Sequence, residues 1–139
     1  MEERIICAIS ASATFGVNAG YAHENETSVD LKKICELCKK VADEVMEQTG
    51  IYVSGTVSEA RTFYKTDWGC PVGGEGTFVL MADCNPIFRS EDMDRHLYEY
   101  TWIKAFLAMV RLLKAELQQT TVLAKVGPNA YYFTNDDNS

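Results

Sequence analysis

With 139 residues and a mass of 15.6 kDa, the chain has room for one hydrophobic core and not for two. Hydrophobic residues at 47% and charged residues at 24% are globular proportions and exclude a disordered chain. The 20 acidic and 13 basic residues leave a net charge of -7, which argues against general binding of DNA or RNA, because that needs a cationic face to displace counterions from phosphates. A small anionic ligand stays open, since one pocket needs only a few well-placed cations.

The longest strictly apolar run, Ala105 to Val110, is far shorter than the roughly 20 residues that cross a bilayer, so no membrane partner is expected. The start, Met1-Glu2-Glu3-Arg4, is acidic, and the apolar stretch after it is too short and mixed for an export signal. Cys7, Cys35, Cys38, Cys70 and Cys84 are odd in number, which fits reduced thiols in a cytoplasm better than a disulfide framework.

In chain order, Arg4 to Ser12 alternates as a strand and runs into a glycine- and asparagine-containing turn or loop, Ala13 to Tyr21. The polar stretch His23 to Thr27 leads to a helix over Val29 to Gln48. Its Leu31, Ile34, Cys38, Val41, Ala42 and Val45 recur at three- and four-residue spacing. Thr27 or Ser28 is its expected N-cap, Asp30 falls in the first turn, and Gly50 is its C′ residue. Ile51 to Val57 and Glu59 to Thr66 then read as adjacent strands, or as one strand with a bulge near Ser58. A glycine-rich connection, Asp67 to Gly76, precedes a strand from Thr77 to Cys84 whose Phe78, Leu80, Ala82 and Cys84 share a face. Pro86 ends that strand. Ser90, followed by Glu91 and Asp92, opens a second helix that runs to about Gln119. The apolar arc of this helix, from Trp102 to Leu117, is broad enough either for deep burial or for a subunit contact. Thr120 to Val126 and Tyr131 to Thr134 form a hairpin, and residues 135–139 read as a frayed tail. The result is an α+β class, a largely antiparallel sheet with two helices in the order β-α-β-β-β-α-β-β, as a single ligand-binding domain over residues 1–134.

Cys35-x-x-Cys38 has the spacing of a metal or redox pair, but it lies inside an amphipathic helix, where core packing is the favoured reading. No Ser or Cys nucleophile is placed beside His23 or His96 by the sequence, so no catalytic residue, metal ligand or cofactor is assigned. The Gly69 to Gly76 segment is either a wide hairpin turn or an anion-binding nest in which Gly73 and Gly74 offer backbone N–H groups. Around it lie groups that suit a nucleotide. Arg61 and Arg111 supply charge for phosphate, Phe78 and Trp68 supply rings for stacking, Asn85 supplies a base-edge contact, and His23 supplies a loop contact.

Two segments, Ser10-Ala11-Ser12-Ala13-Thr14-Phe15-Gly16-Val17-Asn18-Ala19-Gly20-Tyr21 and Arg61-Thr62-Phe63-Tyr64 followed by Trp68-Gly69-Cys70-Pro71, resemble the phage Thoeris anti-defence proteins of the sponge type. The resemblance implies a small α/β protein in the cytoplasm of a bacterial host that sequesters a cyclic ADP-ribose isomer without cleaving it, with cyclic oligonucleotides as further ligands. It also implies a homo-oligomer, dimer or higher, and no enzyme activity. Two other readings stand beside it. One is a structural interaction protein that oligomerises through its second helix. The other is a tautomerase-like small-molecule enzyme, which would lack the N-terminal proline that supplies that family's base, since the chain begins Met1-Glu2.

Overall fold

The computed structural model describes residues 8–17, 30–85 and 94–135. The expected α+β class holds. The elements are β1 (Ile9–Gly16), α1 (Leu31–Thr49), β2 (Thr56–Thr62), a 3₁₀ turn (Thr66–Trp68), β3 (Glu75–Cys84), α2 (Arg95–Glu116), β4 (Thr121–Val126) and β5 (Asn129–Thr134). The strands form one five-stranded sheet in the order β2-β3-β1-β4-β5, with every neighbouring pair antiparallel. The first four strands with their two crossover helices make the ferredoxin-like split βαβ arrangement, and β5 extends it by a hairpin.

Period-two burial sets which sheet face meets the helices. Ala11, Ala13 and Phe15 of β1, Phe78, Leu80, Ala82 and Cys84 of β3, and Val122, Ala124 and Val126 of β4 are all buried. They form one core with Ile34, Cys38, Val41, Ala42 and Val45 of α1 and with Trp102, Phe106, Met109, Val110 and Leu113 of α2. Phe15 and Phe78 are cross-strand partners and stack with centroids 5.1 Å apart. The broad arc of α2 is used inside the chain, because α2 packs on α1 as well as on β4, β1 and β3.

Several boundaries shift for local reasons. β1 continues through Ala13 to Gly16 rather than stopping at Ser12, because Ala13 and Phe15 extend its buried face. Thr27, Ser28 and the polar stretch before them lie outside the described residues, and Asp30 is the N-cap of α1: its Oδ1 accepts from the N–H groups of Lys32 (3.2 Å) and Lys33 (3.3 Å). Gly50 ends α1 as expected, at φ 80° with its N–H donating to the Met46 carbonyl at 2.8 Å. The two stretches around Ser58 join into the single strand β2, and Ile51 and Val53 are buried in an extended lead-in. At Gly55 a Cβ would stand 2.5 Å from the Met81 carbonyl, so only glycine lets the chain come this close to β3. Ser90, Glu91 and Asp92 also lie outside the described residues, and α2 is capped by Asp94, whose Oδ2 accepts from His96 N–H (3.0 Å) and Leu97 N–H (3.3 Å). Asn135, expected to begin a frayed tail, accepts a hydrogen bond from Lys114 Nζ.

Two core thiols give the fold an alkaline limit. Burial, with a smaller contribution from Cys35, pushes the Cys38 thiol up to about 11, and burial, with Glu99 adding and Arg95 opposing, pushes Cys84 up to about 11. An unfolded chain gives up these protons near its ordinary value of 9.0, while the folded chain holds them to about 11. The unfolded state therefore binds fewer protons in that window, and stability falls as pH rises through it. Urea unfolding at about pH 8 and about pH 10.5 checks this: a Cys38→Ala/Cys84→Ala chain loses less stability between the two than the parent does.

Candidate functional site

With the helices on one face, the alternate residues of the sheet look the other way. Ser12 and Thr14 of β1, Thr121 and Lys125 of β4, Glu75 and Thr77 of β3, and Thr62 of β2 line a cleft on that face, closed at one end by Gln119 and Thr120, with a volume of about 430 Å³. That size lies in the range of small-molecule sites. The register explains the grouping: Thr62 pairs with Glu75, Gly16 with Thr77, and Ser12 with Lys125.

The cleft opens where two central strands part. Pairing between β1 and β4 covers only Ala11–Val126, Ser12–Lys125 and Ala13–Ala124. Beyond Ala13 a side chain stands in for the ladder, as Gln119 Oε1 accepts from the Gly16 N–H at 3.0 Å. Across the cleft the hydroxyls of Thr62 and Thr77 share a hydrogen bond of 3.0 Å, and Thr77 is only 2% exposed. Among the described residues the lining is thus rich in hydroxyls, with one carboxylate (Glu75), one ammonium (Lys125) and one primary amide (Gln119). Such a set suits a polar ligand that carries hydroxyls and charges of both signs.

The residues singled out from the sequence fall elsewhere. Arg61 lies on the opposite face of β2 from Thr62, and its guanidinium is spent on the loop: Nε donates to the Gly73 carbonyl at 2.7 Å and Nη2 to the Gly74 carbonyl at 3.4 Å. Gly73 (φ 85°) and Gly74 (φ 73°) form a hairpin turn in which the Gly74 N–H donates to the Pro71 carbonyl at 3.0 Å. Both carbonyls face the arginine, the reverse of an anion nest. Phe78 is 0% exposed in the core, Trp68 is 71% exposed at the far end of the β2–β3 connection, and Arg111 stands over the Phe133 ring at 5.4 Å. Asn85 is half-buried just after β3, and His23 lies outside the described residues. Among the described residues, none of these lines the cleft. The sequence did carry a signal for those that do, because Ser and Thr alternate with Ala along Ser10-Ala11-Ser12-Ala13-Thr14, which marks a polar, uncovered sheet face.

A second cavity, about 140 Å³, lies between α1 and β2, with Cys38, Val53, Leu80 and Met109 in its wall. Cys38 is buried and Cys35 is exposed, so the two thiols of the Cys-x-x-Cys pair occupy different environments. Among the described residues no group of three or more His, Cys, Asp or Glu side chains is placed to hold a metal ion, and no helix is long and apolar enough to cross a membrane.

Comparison with known proteins gives this geometry a context. The profile of the family described as SAM lyase matches residues 7–134. Two solved structures share the fold over 100% of this chain and 99% of theirs, at 13% identity: a phage SAM lyase in complex with S-methyl-5′-thioadenosine, with a TM-score of 0.60, and a phage SAM lyase in its apo state, with a TM-score of 0.63. No curated protein matches the chain. These matches correct the functional expectation. The resemblance to anti-Thoeris sponges, and with it a non-catalytic binder of cyclic ADP-ribose isomers, gives way to a family of enzymes, and so do the interaction-protein and tautomerase alternatives. The charges account for the difference: an anionic ligand calls on Arg61 and Arg111 for phosphate, whereas the structure ties one to loop carbonyls and sets the other over a ring.

Proposed function

The chain belongs to the SAM lyase family, and from that premise we propose that it breaks the bond between sulfur and the γ-carbon of S-adenosylmethionine in the cleft on the open sheet face. The observation that carries the reading is the union of that family match with a cleft whose lining complements the substrate. S-adenosylmethionine bears ribose hydroxyls, an ammonium, a carboxylate and a sulfonium. The cleft holds Ser and Thr hydroxyls, the Glu75 carboxylate and the Lys125 ammonium. The net charge of -7, unhelpful for a phosphate ligand, favours encounter with a cationic substrate.

A lyase needs no outside nucleophile, and this substrate carries its own. A carboxylate oxygen attacks the γ-carbon and forms a C–O bond as the C–S bond breaks, and the electron pair goes to sulfur. The products are neutral S-methyl-5′-thioadenosine and a five-membered homoserine lactone that keeps its ammonium. The net charge is +1 before and after, and no proton or water enters. The sulfonium is already a good leaving group, so the protein acts chiefly by holding the chain in the folded geometry that closes the ring. Glu75 serves best against the ammonium, whose charge persists through the reaction. Paired with the sulfonium, it would favour the substrate over a transition state in which sulfur is losing charge. Lys125 is the group available to orient the carboxylate.

Incubating the protein with S-adenosylmethionine and separating the products tests the proposal. Equimolar S-methyl-5′-thioadenosine and homoserine lactone are expected. Vinylglycine in place of the lactone would replace ring closure by elimination, and S-adenosylhomocysteine, or no consumption, would overturn the reading.

A further inference from the structure

Gln119 joins α2 to β4 and is 9% exposed, next to Gln118, whose φ of 53° turns the chain. Both ends of its amide are engaged with backbone: Oε1 accepts from the Gly16 N–H at 3.0 Å and Nε2 donates to the Leu117 carbonyl at 3.1 Å. The first bond spans the gap left where β1–β4 pairing stops at Ala13–Ala124. Gly16 is complementary to it. Its φ lies outside the left-handed region, so the backbone there would accept any residue, but a Cβ would stand 2.8 Å from Gln119 Oε1. A side chain at position 16 would have to displace the amide, because Gln119 fills the space beside Gly16.

We propose that Gln119 is a positioning residue for the lyase reaction: its amide spaces the β1 and β4 walls of the cleft, and with them the hydroxyls of Thr14 and Thr121 that the substrate meets. The inference rests on the reading of this cleft as the S-adenosylmethionine site. Both strands line the cleft on either side of the amide, and the amide links Gly16 at the end of β1 to the segment that leads into β4, beyond the Ala13–Ala124 pair. Displacing a wall changes how well the whole substrate is held, in the ground state and the transition state alike, so the effect falls on KM more than on kcat.

The test is steady-state kinetics on S-adenosylmethionine with Gln119→Ala, Gly16→Ala and the double variant. Gln119→Ala is expected to raise KM about tenfold or more with kcat held within about threefold. Gly16→Ala does the same, because its methyl group displaces the amide. In the double variant the methyl enters the space the amide has left, so KM is no higher than in the worse single variant, whereas loss of folded protein alone lowers the apparent kcat and leaves KM unchanged. Gln119→Met, which keeps the volume but neither hydrogen bond, replaces Gln119→Ala if the latter does not fold, with the same rise in KM expected. A KM within about twofold of the parent in the Gln119 variants, or multiplying effects in the double variant, overturns the inference. If the parent cleaves S-adenosylmethionine and Glu75→Gln impairs it while the Gln119 variants keep their KM, this inference alone falls. If the parent does not cleave it, both readings fall together.

Discussion

Phe78→Ala should cost the fold about 3–5 kcal/mol, read as a lower urea midpoint with an unchanged slope. The side chain is 0% exposed, and it stacks on Phe15 directly across the β1–β3 pair at 5.1 Å. Truncation removes buried apolar surface, leaves a cavity in a core that can relax only partly, and strips Phe15 of its partner. Against a total stability of roughly 5–15 kcal/mol this is a large fraction, so the variant is expected to show reduced folded yield at 37 °C. The same position separates packing from ligand contact. Phe78→Leu refills most of the space and should leave KM for S-adenosylmethionine within about twofold. A large rise in KM with stability retained would instead return Phe78 to the binding site.

Glu75→Gln should lower kcat/KM on S-adenosylmethionine by about 10- to 100-fold, the value of one hydrogen bond to a charged group. Glu75 is the carboxylate in the lining of the cleft and sits opposite Thr62 at the end of the β2–β3 pair. The substitution keeps shape and polarity while removing the negative charge proposed to hold the substrate ammonium. Because the side chain is only half-buried at the cleft wall, stability should change by less than about 1 kcal/mol. Comparing kcat/KM with the urea midpoint for the same preparation checks both halves. Unchanged kcat/KM would remove Glu75 from the site.

The fold was more legible in the sequence than the site, for physical reasons. Three- and four-residue spacing from Leu31 to Val45, the glycine at position 50 and the period-two face from Phe78 to Cys84 are local signals, and each held in the structure. The lead-in at Ile51 and Val53 has the pattern of a separate strand, but burial there comes from tertiary packing beside Gly55, not from ladder pairing. The cleft was harder to read. Its residues come from four strands and the link between α2 and β4, and Gly16 and Gln119, which meet at its closed end, are 103 positions apart. Arginines and aromatics are chemically conspicuous in a sequence, yet Arg61 and Phe78 are taken up by a turn and a core. Plain Ser and Thr residues form the open face, and their alternation with Ala was visible as pattern without revealing what they surround.

In the proposed reaction the carbon–sulfur bond is broken by the substrate's own carboxylate, without water. The most direct measurement is the reaction run in ¹⁸O-labelled water and sampled early by mass spectrometry. Homoserine lactone without ¹⁸O beside unlabelled S-methyl-5′-thioadenosine is the predicted result. Homoserine carrying ¹⁸O in its hydroxyl group from the first turnover would show hydrolysis and overturn ring closure.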